Sequence, residues 1–224
     1  TGATAALALA AAGGIDNSAG GAILAGGASR LSAARLDNRD GTISADAALD
    51  LQTTGTLDNR HGLVVGTDVL NLAAGQVDNG TGKLRALAGP FVLESRGAVL
   101  NGLGEIGSGG GFDARVGSLI NSGTLYATGS LRIQAAGLMD NSGTLAGAGD
   151  VRLQVGRLAG SAASLFGAGV QGDGSLAGSG ELVVAATDTL AAHGRNLAAG
   201  RLVFDGGSSV DLAGATTQGS HRSE

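Results

Sequence analysis

Asparagine is the residue whose spacing in this 224-residue chain most suggests a chemical role. Seven asparagines recur at nearly equal spacings of 21, 21, 20, 22, 20 and 20, namely Asn17, Asn38, Asn59, Asn79, Asn101, Asn121 and Asn141. An amide side chain both donates and accepts hydrogen bonds, and stacked amides form hydrogen-bonded ladders. Asparagine also tolerates the left-handed conformation that tight turns require. We interpret the seven residues as a structural ladder at a repeated turn, with a ligand-binding column as the alternative.

A column of aspartates precedes the first four of these asparagines. Carboxylates stacked about 5 Å apart in water repel each other by less than ~1 kcal/mol per pair. A cation can relieve this repulsion, and so can Arg39 and Arg60, which lie beside the column in the sequence. The nonapeptide motif of calcium-binding β-helices is absent. We therefore expect no metal site at Asp16, Asp37, Asp58 and Asp78.

The remaining residue types give little indication of catalysis. His61, His193 and His221 are far apart in sequence, with no second ligand at metal-binding spacing, and we expect them at the surface. The chain has no cysteine, which excludes disulfides, thiolate metal sites and a cysteine nucleophile. Serine-hydrolase, P-loop, zinc-protease and dinucleotide-binding motifs are absent. We expect no catalytic residues, no cofactor and no enzymatic activity.

Composition narrows the class of protein further. Glycine accounts for 43 residues and proline for one, while 43% of the chain is apolar and only 2% is aromatic. This apolar share is too high for a disordered glycine-rich linker. The net charge of −5 and the lack of a basic cluster argue against a nucleic-acid partner. Every apolar run is shorter than the roughly 18 residues that a transmembrane helix needs, so we expect no membrane insertion.

The asparagines belong to a longer repeat that predicts stacked β-strands. An apolar residue stands two positions before each asparagine, a glycine follows two or three positions after it, and an alternating apolar pair such as Leu49/Leu51 comes later. Alternation at period two means that Leu49, Leu51 and Leu57 point inward, whereas Asp50 and Gln52 point outward. A unit of about 20 residues cannot bury its own apolar row, but stacked units can. The sequence predicts an all-β solenoid with three short strands per rung and roughly ten to eleven rungs.

The first residues of the chain are ambiguous when they are considered alone. Residues 1–14 are rich in alanine, which favours a helix by intrinsic propensity. Aligned on Asn17, however, the segment matches the later units, with Leu7 over Leu49 and Leu9 over Leu51. We therefore predict a strand.

Beyond Asn141 the asparagine disappears, but the apolar rhythm continues. It is visible in RLAG (157–160), SLAG (175–178) and NLAA (196–199). The strands of this region are predicted at the pairs Val151/Leu153, Leu182/Val184, Leu202/Phe204 and Val210/Leu212. We predict one β-helix over residues 1–215, regular over 1–160 and degenerate over 161–215, with 216–224 as a frayed tail or cloning remnant.

The tandem of Leu-Asp-Asn, a glycine, an Ile or Leu and an alternating aliphatic pair resembles the haemagglutinin repeat of filamentous-haemagglutinin-type exoproteins. These are very long secreted partners of two-partner secretion and include adhesins and effectors of contact-dependent growth inhibition. The resemblance is close over residues 1–160 and loose beyond. It implies a right-handed parallel β-helix that is exported across the outer membrane of a Gram-negative bacterium and is secreted or held at the cell surface.

The resemblance also indicates which parts of such a protein this segment represents. The Asn-Pro motifs of the family's secretion domain are absent, since the single proline, Pro90, follows Gly89. A C-terminal toxin domain is absent as well. We therefore expect a structural shaft that projects a distal binding or toxic module. Its expected partners are the outer-membrane two-partner secretion transporter, through a domain outside this chain, and a receptor or glycan on a host cell or target bacterium.

Two other functions are compatible with a β-helix. A β-helical polysaccharide lyase or hydrolase needs clustered acids and bases, often with aromatic side chains for sugar stacking. The carboxylates here are scattered and aromatics are scarce, which disfavours it. The segment could instead bind a host glycan or receptor itself, and the basic residues available for that are Arg30, Arg35, Arg39 and Arg60.

One departure from the repeat predicts a contact surface. At the outward position before the asparagine, aspartate is replaced by Leu100 and then by Ile120 on the next rung. The unit that contains Leu100 is also the longest and includes Pro90 and Phe91. We expect an exposed apolar patch that contacts a partner or flanking segment, or else an irregularity covered by a side loop.

Overall fold

A computed structural model describes residues 5–220, which form 24 β-strands and no helix, so none of these residues belongs to a helix able to cross a membrane. In chain order the strands are β1 (Leu7–Asp16), β2 (Ala22–Ala25), β3 (Ser29–Asp37), β4 (Thr42–Ala45), β5 (Leu49–Thr53), β6 (Thr56–Asp58), β7 (Leu63–Gly66), β8 (Leu70–Ala74), β9 (Gln76–Asp78), β10 (Lys83–Ala86), β11 (Phe91–Asn101), β12 (Glu105–Ser108), β13 (Phe112–Asn121), β14 (Thr124–Ala127), β15 (Leu131–Asn141), β16 (Thr144–Gly147), β17 (Val151–Gly160), β18 (Leu165–Ala168), β19 (Leu182–Ala186), β20 (Thr189–Ala192), β21 (Arg195–Ala198), β22 (Leu202–Gly206), β23 (Ser209–Asp211) and β24 (Thr216–Gln218).

Each rung consists of three strand segments joined by tight corners, as the β5–β6–β7 rung illustrates. Gly55 marks the corner between β5 and β6, and Asn59 marks the corner between β6 and β7. In the rungs built on β11, β13, β15 and β17, the first two segments merge into one long strand. A register shift inside the merged strand, such as the one between Ser95 and Ala98, lets it bend around the corner. The predicted three-segment rung is therefore present.

The rungs stack in parallel to form two sheets. The first sheet has 14 strands and contains the first two segments of each rung, and the second has 10 strands and contains the third segments. Equivalent residues pair in register, so Leu9 pairs with Leu31 and Leu31 pairs with Leu51. The structure confirms the predicted parallel β-solenoid, because the second sheet takes one strand from each successive rung. It also confirms the strand predicted near the N-terminus from Leu7 onward, while residues 1–4 lie outside the described range.

The core is a stack of aliphatic side chains that point inward from all three segments. Leu49, Leu51, Leu57 and Val64 of one rung are all completely inaccessible to solvent. Each such side chain contributes about 1.5–3 kcal/mol through burial. Gln52, between two inward residues, is exposed, as the alternation predicts.

Glycine after the asparagine is required because successive rungs approach closely at that corner. A Cβ atom on Gly62 would lie only 2.1 Å from the carbonyl oxygen of Asn38, on the preceding rung. The asparagines themselves do not adopt the left-handed conformation that we considered for them. In the first five turns that conformation belongs to the residue two positions later, at Ala19, Asp40, His61, Thr81 and Leu103, with φ between 53° and 57°. The asparagine is needed for its side chain instead.

Two predictions for the C-terminal region are wrong. SLAG (175–178) is not a rung; it lies in an excursion between β18 and β19, where Val170 and Leu176 form an isolated antiparallel bridge. The predicted tail also begins too early, because β24 (Thr216–Gln218) still pairs with β21. Rung-to-rung pairing uses backbone groups, so it continues into a polar segment that has no apolar rhythm. Residues 221–224 of that tail lie outside the described range.

Candidate functional site

The seven asparagines form a continuous chain of hydrogen bonds along the axis, which we call the amide ladder. The Nδ2 of Asn17 donates to the Oδ1 of Asn38 at 2.7 Å, and the same bond repeats at 2.7–2.8 Å up to Asn141. Each Nδ2 also donates to a backbone carbonyl, as Asn59 does to Lys83 at 3.1 Å. The side chains are at most 6% exposed. The amide ladder therefore has no open side that a ligand could occupy.

An aromatic ring replaces the amide where the ladder ends. In the rung after Asn141, Gly160 takes the asparagine position. A Cβ on Gly160 would lie 2.8 Å from Cε2 of Phe166, so the ring occupies the space that an asparagine side chain would need. One rung later Asn196 lies beneath Phe166 and donates to the carbonyl of Ala192 at 3.0 Å. The asparagine thus moves from the corner into the third segment of the rung, where its side chain is again buried.

Two of the chain's own arginines pair with three of the four aspartates of the column. Arg39 donates to Asp37 at 2.6 Å, and its Nε lies 3.7 Å from the carboxylate of Asp58 on the next rung. Arg60 repeats this arrangement, at 2.7 Å from Asp58 and 3.6 Å from Asp78. We call the alternating row from Asp37 to Asp78 the charge ladder. The sequence offered two ways to relieve the repulsion between the aspartates, a bound cation or the arginines. In the structure the arginines lie between the carboxylates.

Hydrogen bonding in the charge ladder changes the acidity of its aspartates. Hydrogen bonds from the Arg39 side chain lower the pKa of Asp37, against a smaller opposing effect of burial. At Asp58, partial burial acts to raise the pKa, but the hydrogen bonds from Arg60 outweigh it and the pKa is lowered. Both carboxylates are therefore held in their charged form at neutral pH.

The described histidines lie in two different surroundings. His61 is exposed and lies 4.0 Å from Asp40. His193 has its Nε2 at 3.0 Å from the Oδ2 of Asp211, a contact that sequence spacing did not indicate because the two residues are on successive rungs. His221 lies outside the described range. Within residues 5–220, no group of three or more His, Asp or Glu side chains is arranged to hold a metal ion.

Leu100 and Ile120 lie side by side on adjacent rungs. They are paired residues of β11 and β13, and Ile120 is 42% exposed whereas Leu100 is partly buried. Leu103, at the turn that follows Leu100, is 76% exposed and adds apolar surface nearby. Whether this surface contacts a partner stays a prediction.

The excursion between β18 and β19, residues 169–181, was not recognised in the sequence. Its turn is closed by Asp173, whose carboxylate accepts hydrogen bonds from the backbone and the hydroxyl of Ser175. It is fixed to the second sheet by Tyr126, whose hydroxyl donates to the carbonyl of Val170 at 3.2 Å. The QGDGS turn at 171–175 was the available signal, because clustered Gly, Asp and Ser residues mark loops.

A long groove runs parallel to the axis on the outside of the first sheet, at the corner between its two segments. It consists of two adjoining cavities of about 860 and 560 Å³, and Ser95, Arg96 and Arg115 line both of them. We call the combined feature the axial groove. Sequence reasoning missed it because it arises from the bend of the strands, not from a motif.

Comparisons with known proteins provide no relative: no family model, no curated protein and no solved structure matches the chain. Function must therefore be argued from the fold and from the surfaces described above.

Proposed function

We propose that the chain is a structural shaft segment of a large secreted bacterial surface protein, either a filamentous adhesin or an effector of contact-dependent growth inhibition. In this role it separates a distal binding or toxic module from the cell surface. The observation that supports this most directly is the continuity of the amide ladder over seven rungs, together with the aliphatic stack beside it. This arrangement requires no ligand, and stacking its rungs produces a long rod.

Length and stiffness follow from the direction of the bonds. In a parallel solenoid the backbone hydrogen bonds run along the axis, so bending the rod means stretching many of them together. The amide ladder and the charge ladder add side-chain bonds in the same direction. Each rung lengthens the rod by one strand spacing, ~4.8 Å.

Secretion and surface location form part of this proposal through the resemblance to filamentous-haemagglutinin-type repeats. The transporter would engage a domain outside this chain, and a receptor or glycan would bind the distal module. Within residues 5–220, no arranged set of acid and base groups supports an enzymatic role. Arg39 and Arg60, considered as a basic binding site, are already paired with aspartates.

A distance measurement tests the shaft. The chain has no cysteine, so Arg30→Cys and Arg132→Cys can be spin-labelled selectively. These exposed residues share one column and are separated by five pairing steps, ~24 Å. A second protein lacks residues 60–79, which removes one rung and joins Asn59 to Gly80.

We expect a narrow distance distribution in the parent and a narrow one shortened by one strand spacing in the deletion protein. A broad distribution, or loss of folding on deletion, would contradict a rod built from interchangeable rungs. Export is tested separately by placing the chain between a two-partner secretion domain and an epitope. Surface exposure of the epitope should then require the cognate pore, and an epitope retained in the periplasm would oppose the proposed location.

A further inference from the structure

The outward residues of the second strand segments form two columns along the rod, which we call the second-segment face. Each rung from β3 to β17 contributes two residues to it, and the residue between them points into the core. The first column is Arg35, Thr56, Gln76, Ala98, Ser118, Leu138 and Arg157, and the second is Asp37, Asp58, Asp78, Leu100, Ile120, Asp140 and Ala159. The second column pairs from rung to rung over six steps, so the face is ~29 Å long.

The centre of the second-segment face is apolar and uneven. Ile120 is 42% exposed and Leu138 is 37% exposed, and Leu100 lies partly buried beside Ile120. In the first column, the rungs of Leu100 and Ile120 carry small residues, namely Ala98 and Ser118. Exposed apolar surface rimmed by polar residues is typical of protein–protein contacts. This surface can fit a copy of itself if its large side chains lie opposite the small ones.

Charged side chains flank this apolar centre. Arg35 and Arg157, at the two ends of the first column, are exposed, and neither forms an ion pair within residues 5–220. Asp140, in the second column, has no ion pair in that range either. A protein interface typically has an apolar core and a polar rim. These three side chains can therefore pair with a partner at the rim.

A second copy of the chain complements this face when the two are related by a two-fold axis parallel to the rod. Such an axis keeps both rods in the same direction but reverses the strands, so the first column of one copy faces the second column of the other at the same rung. Arg35 then faces Asp37 of the second copy, and the small residues of the centre face the large ones. Arg157 lies one rung, ~4.8 Å, from Asp140 of the second copy, a distance that its long side chain can span. By symmetry each contact forms twice.

The opposite orientation of the second copy is unfavourable. An antiparallel pair centred between Leu100 and Ile120 places Asp78 opposite Asp140 of the second copy, because these two aspartates lie one rung to either side of the centre. Like charges placed directly opposite each other are destabilising. The charges on the face therefore favour parallel rods.

We propose that two copies of the chain associate side by side, in the same direction, through the second-segment face. Two outward columns make a strip ~12 Å wide, so a face ~29 Å long buries roughly 700 Å² in total over both copies. Stable complexes bury about 1,200 Å² or more, and smaller contacts are weak. We therefore expect a dissociation constant of about 0.1–1 mM for chains of this length.

An exchange of charges between two variants tests the contact at the rim. Sedimentation equilibrium of the full chain should show a reversible dimer. Arg157→Glu and Asp140→Arg, each alone, should weaken it by about tenfold or more, because each variant places like charges together twice in its own dimer. An equimolar mixture of the two variants should recover the affinity of the parent, since each variant then supplies the charge that the other needs. Only a contact between two molecules predicts this recovery.

A second pair of variants tests the apolar centre. Ile120→Asp should abolish the dimer, whereas Gln52→Asp, which adds the same charge at an exposed position of the first segment, should leave it unchanged. The circular dichroism spectra of all variants should match that of the parent, because the altered side chains lie on the outside of the rod.

Spin labels placed singly at Arg30→Cys or Arg132→Cys test the direction of the two rods. Both residues are exposed and lie in one column of the first segment. In a parallel pair the two labels should give nearly the same distance between molecules. In an antiparallel pair centred on the apolar patch, the Arg30→Cys distance should be the longer one, because Arg30 lies farther from the centre.

Three results would overturn the proposal. The first is a chain that stays monomeric up to about 2 mM, as expected if a different partner or a flanking segment covers the face. The second is a mixture of the two charge variants that associates no better than either variant alone. The third is a clearly longer distance from Arg30→Cys than from Arg132→Cys. None of these outcomes affects the shaft proposal, because that role depends on the length and rigidity of one rod.

Discussion

Replacing Asn59 by alanine should destabilise the protein by about 2–6 kcal/mol. Asn59 is completely buried, accepts a hydrogen bond from Asn38 at 2.7 Å and donates one to Asn79 at 2.8 Å. The two lost bonds of the amide ladder contribute about 1–3 kcal/mol together, and the buried Oδ1 of Asn79, left without its donor, costs about 1–3 kcal/mol more. Asn59→Asp should be worse than Asn59→Ala, because a carboxylate cannot donate and carries a charge into the core.

The matched control is Asn71→Ala. Asn71 is exposed and makes one side-chain bond, to Asp50 at 2.6 Å, so its loss should stay within about 0.5 kcal/mol. Asn17→Ala should fall in between, because Asn17 has only one ladder neighbour in the described range.

Hydrogen exchange is the appropriate assay, since repeat proteins open locally and a single global midpoint averages over rungs. The amides of the rungs that contain Asn38, Asn59 and Asn79 should lose most protection in Asn59→Ala, whereas the rungs beyond Phe166 should keep theirs. If Asn59→Ala costs no more than Asn71→Ala, the amide ladder does not stabilise the rod and our reasoning about it is wrong.

Three further perturbations have clear expected outcomes. Leu51→Asp should cost several kcal/mol, about 1.5–3 of it in lost burial, whereas Asp50→Ser should change stability by less than about 0.5 kcal/mol; the reverse order in urea unfolding would mean that the facing assignment is shifted by one residue. Gly62→Ala should be strongly destabilising because its Cβ would meet a carbonyl oxygen at 2.1 Å, while Gly13→Ala, which meets nothing within 4 Å, should not; equal melting temperatures would refute the close-approach argument. Arg60→Gln should make the protein lose less stability as the pH is lowered. The folded pKa of Asp58 is lowered, so its ion pair contributes stability that is present above about pH 3.8, the unfolded pKa, and is lost as the pH falls through the lower folded pKa. If the melting temperature of the variant falls in acid just as that of the parent does, the charge ladder contributes nothing.

The fold could be predicted from the sequence to the extent that it repeats. The asparagine spacing located the corners, and alternation at pairs such as Leu49/Leu51 gave the inward face, because a period-two pattern has only one buried side. Prediction failed where residues depart from that period. The SLAG segment has the composition of a rung but lies in an excursion, and Thr216–Gln218 has the composition of a tail but pairs as a strand.

The candidate surfaces were less predictable than the fold, for a physical reason. Arg39 and Arg60 could be placed beside the aspartate column, because their neighbours follow from the repeat itself. The contact between His193 and Asp211 could not, since the corner asparagine that marks the register is absent from the rungs beyond Asn141. The axial groove depends on how far the strands bend at Val116 and Ala135, and no residue type encodes that angle.

The amide ladder also has a consequence for how such a protein can change its length over evolutionary time. Every asparagine within the row donates to the asparagine of the rung after it and accepts from that of the rung before it. Recombination that removes or duplicates a whole unit therefore deletes or adds a donor and an acceptor together. The asparagines on either side of the change then bond to each other, and no buried amide is left without a partner. Loss of a few residues inside a unit does not have this property, since it moves one asparagine out of line with its neighbours. The rod is thus a molecule whose length can change in steps of one whole unit without redesign of its interior.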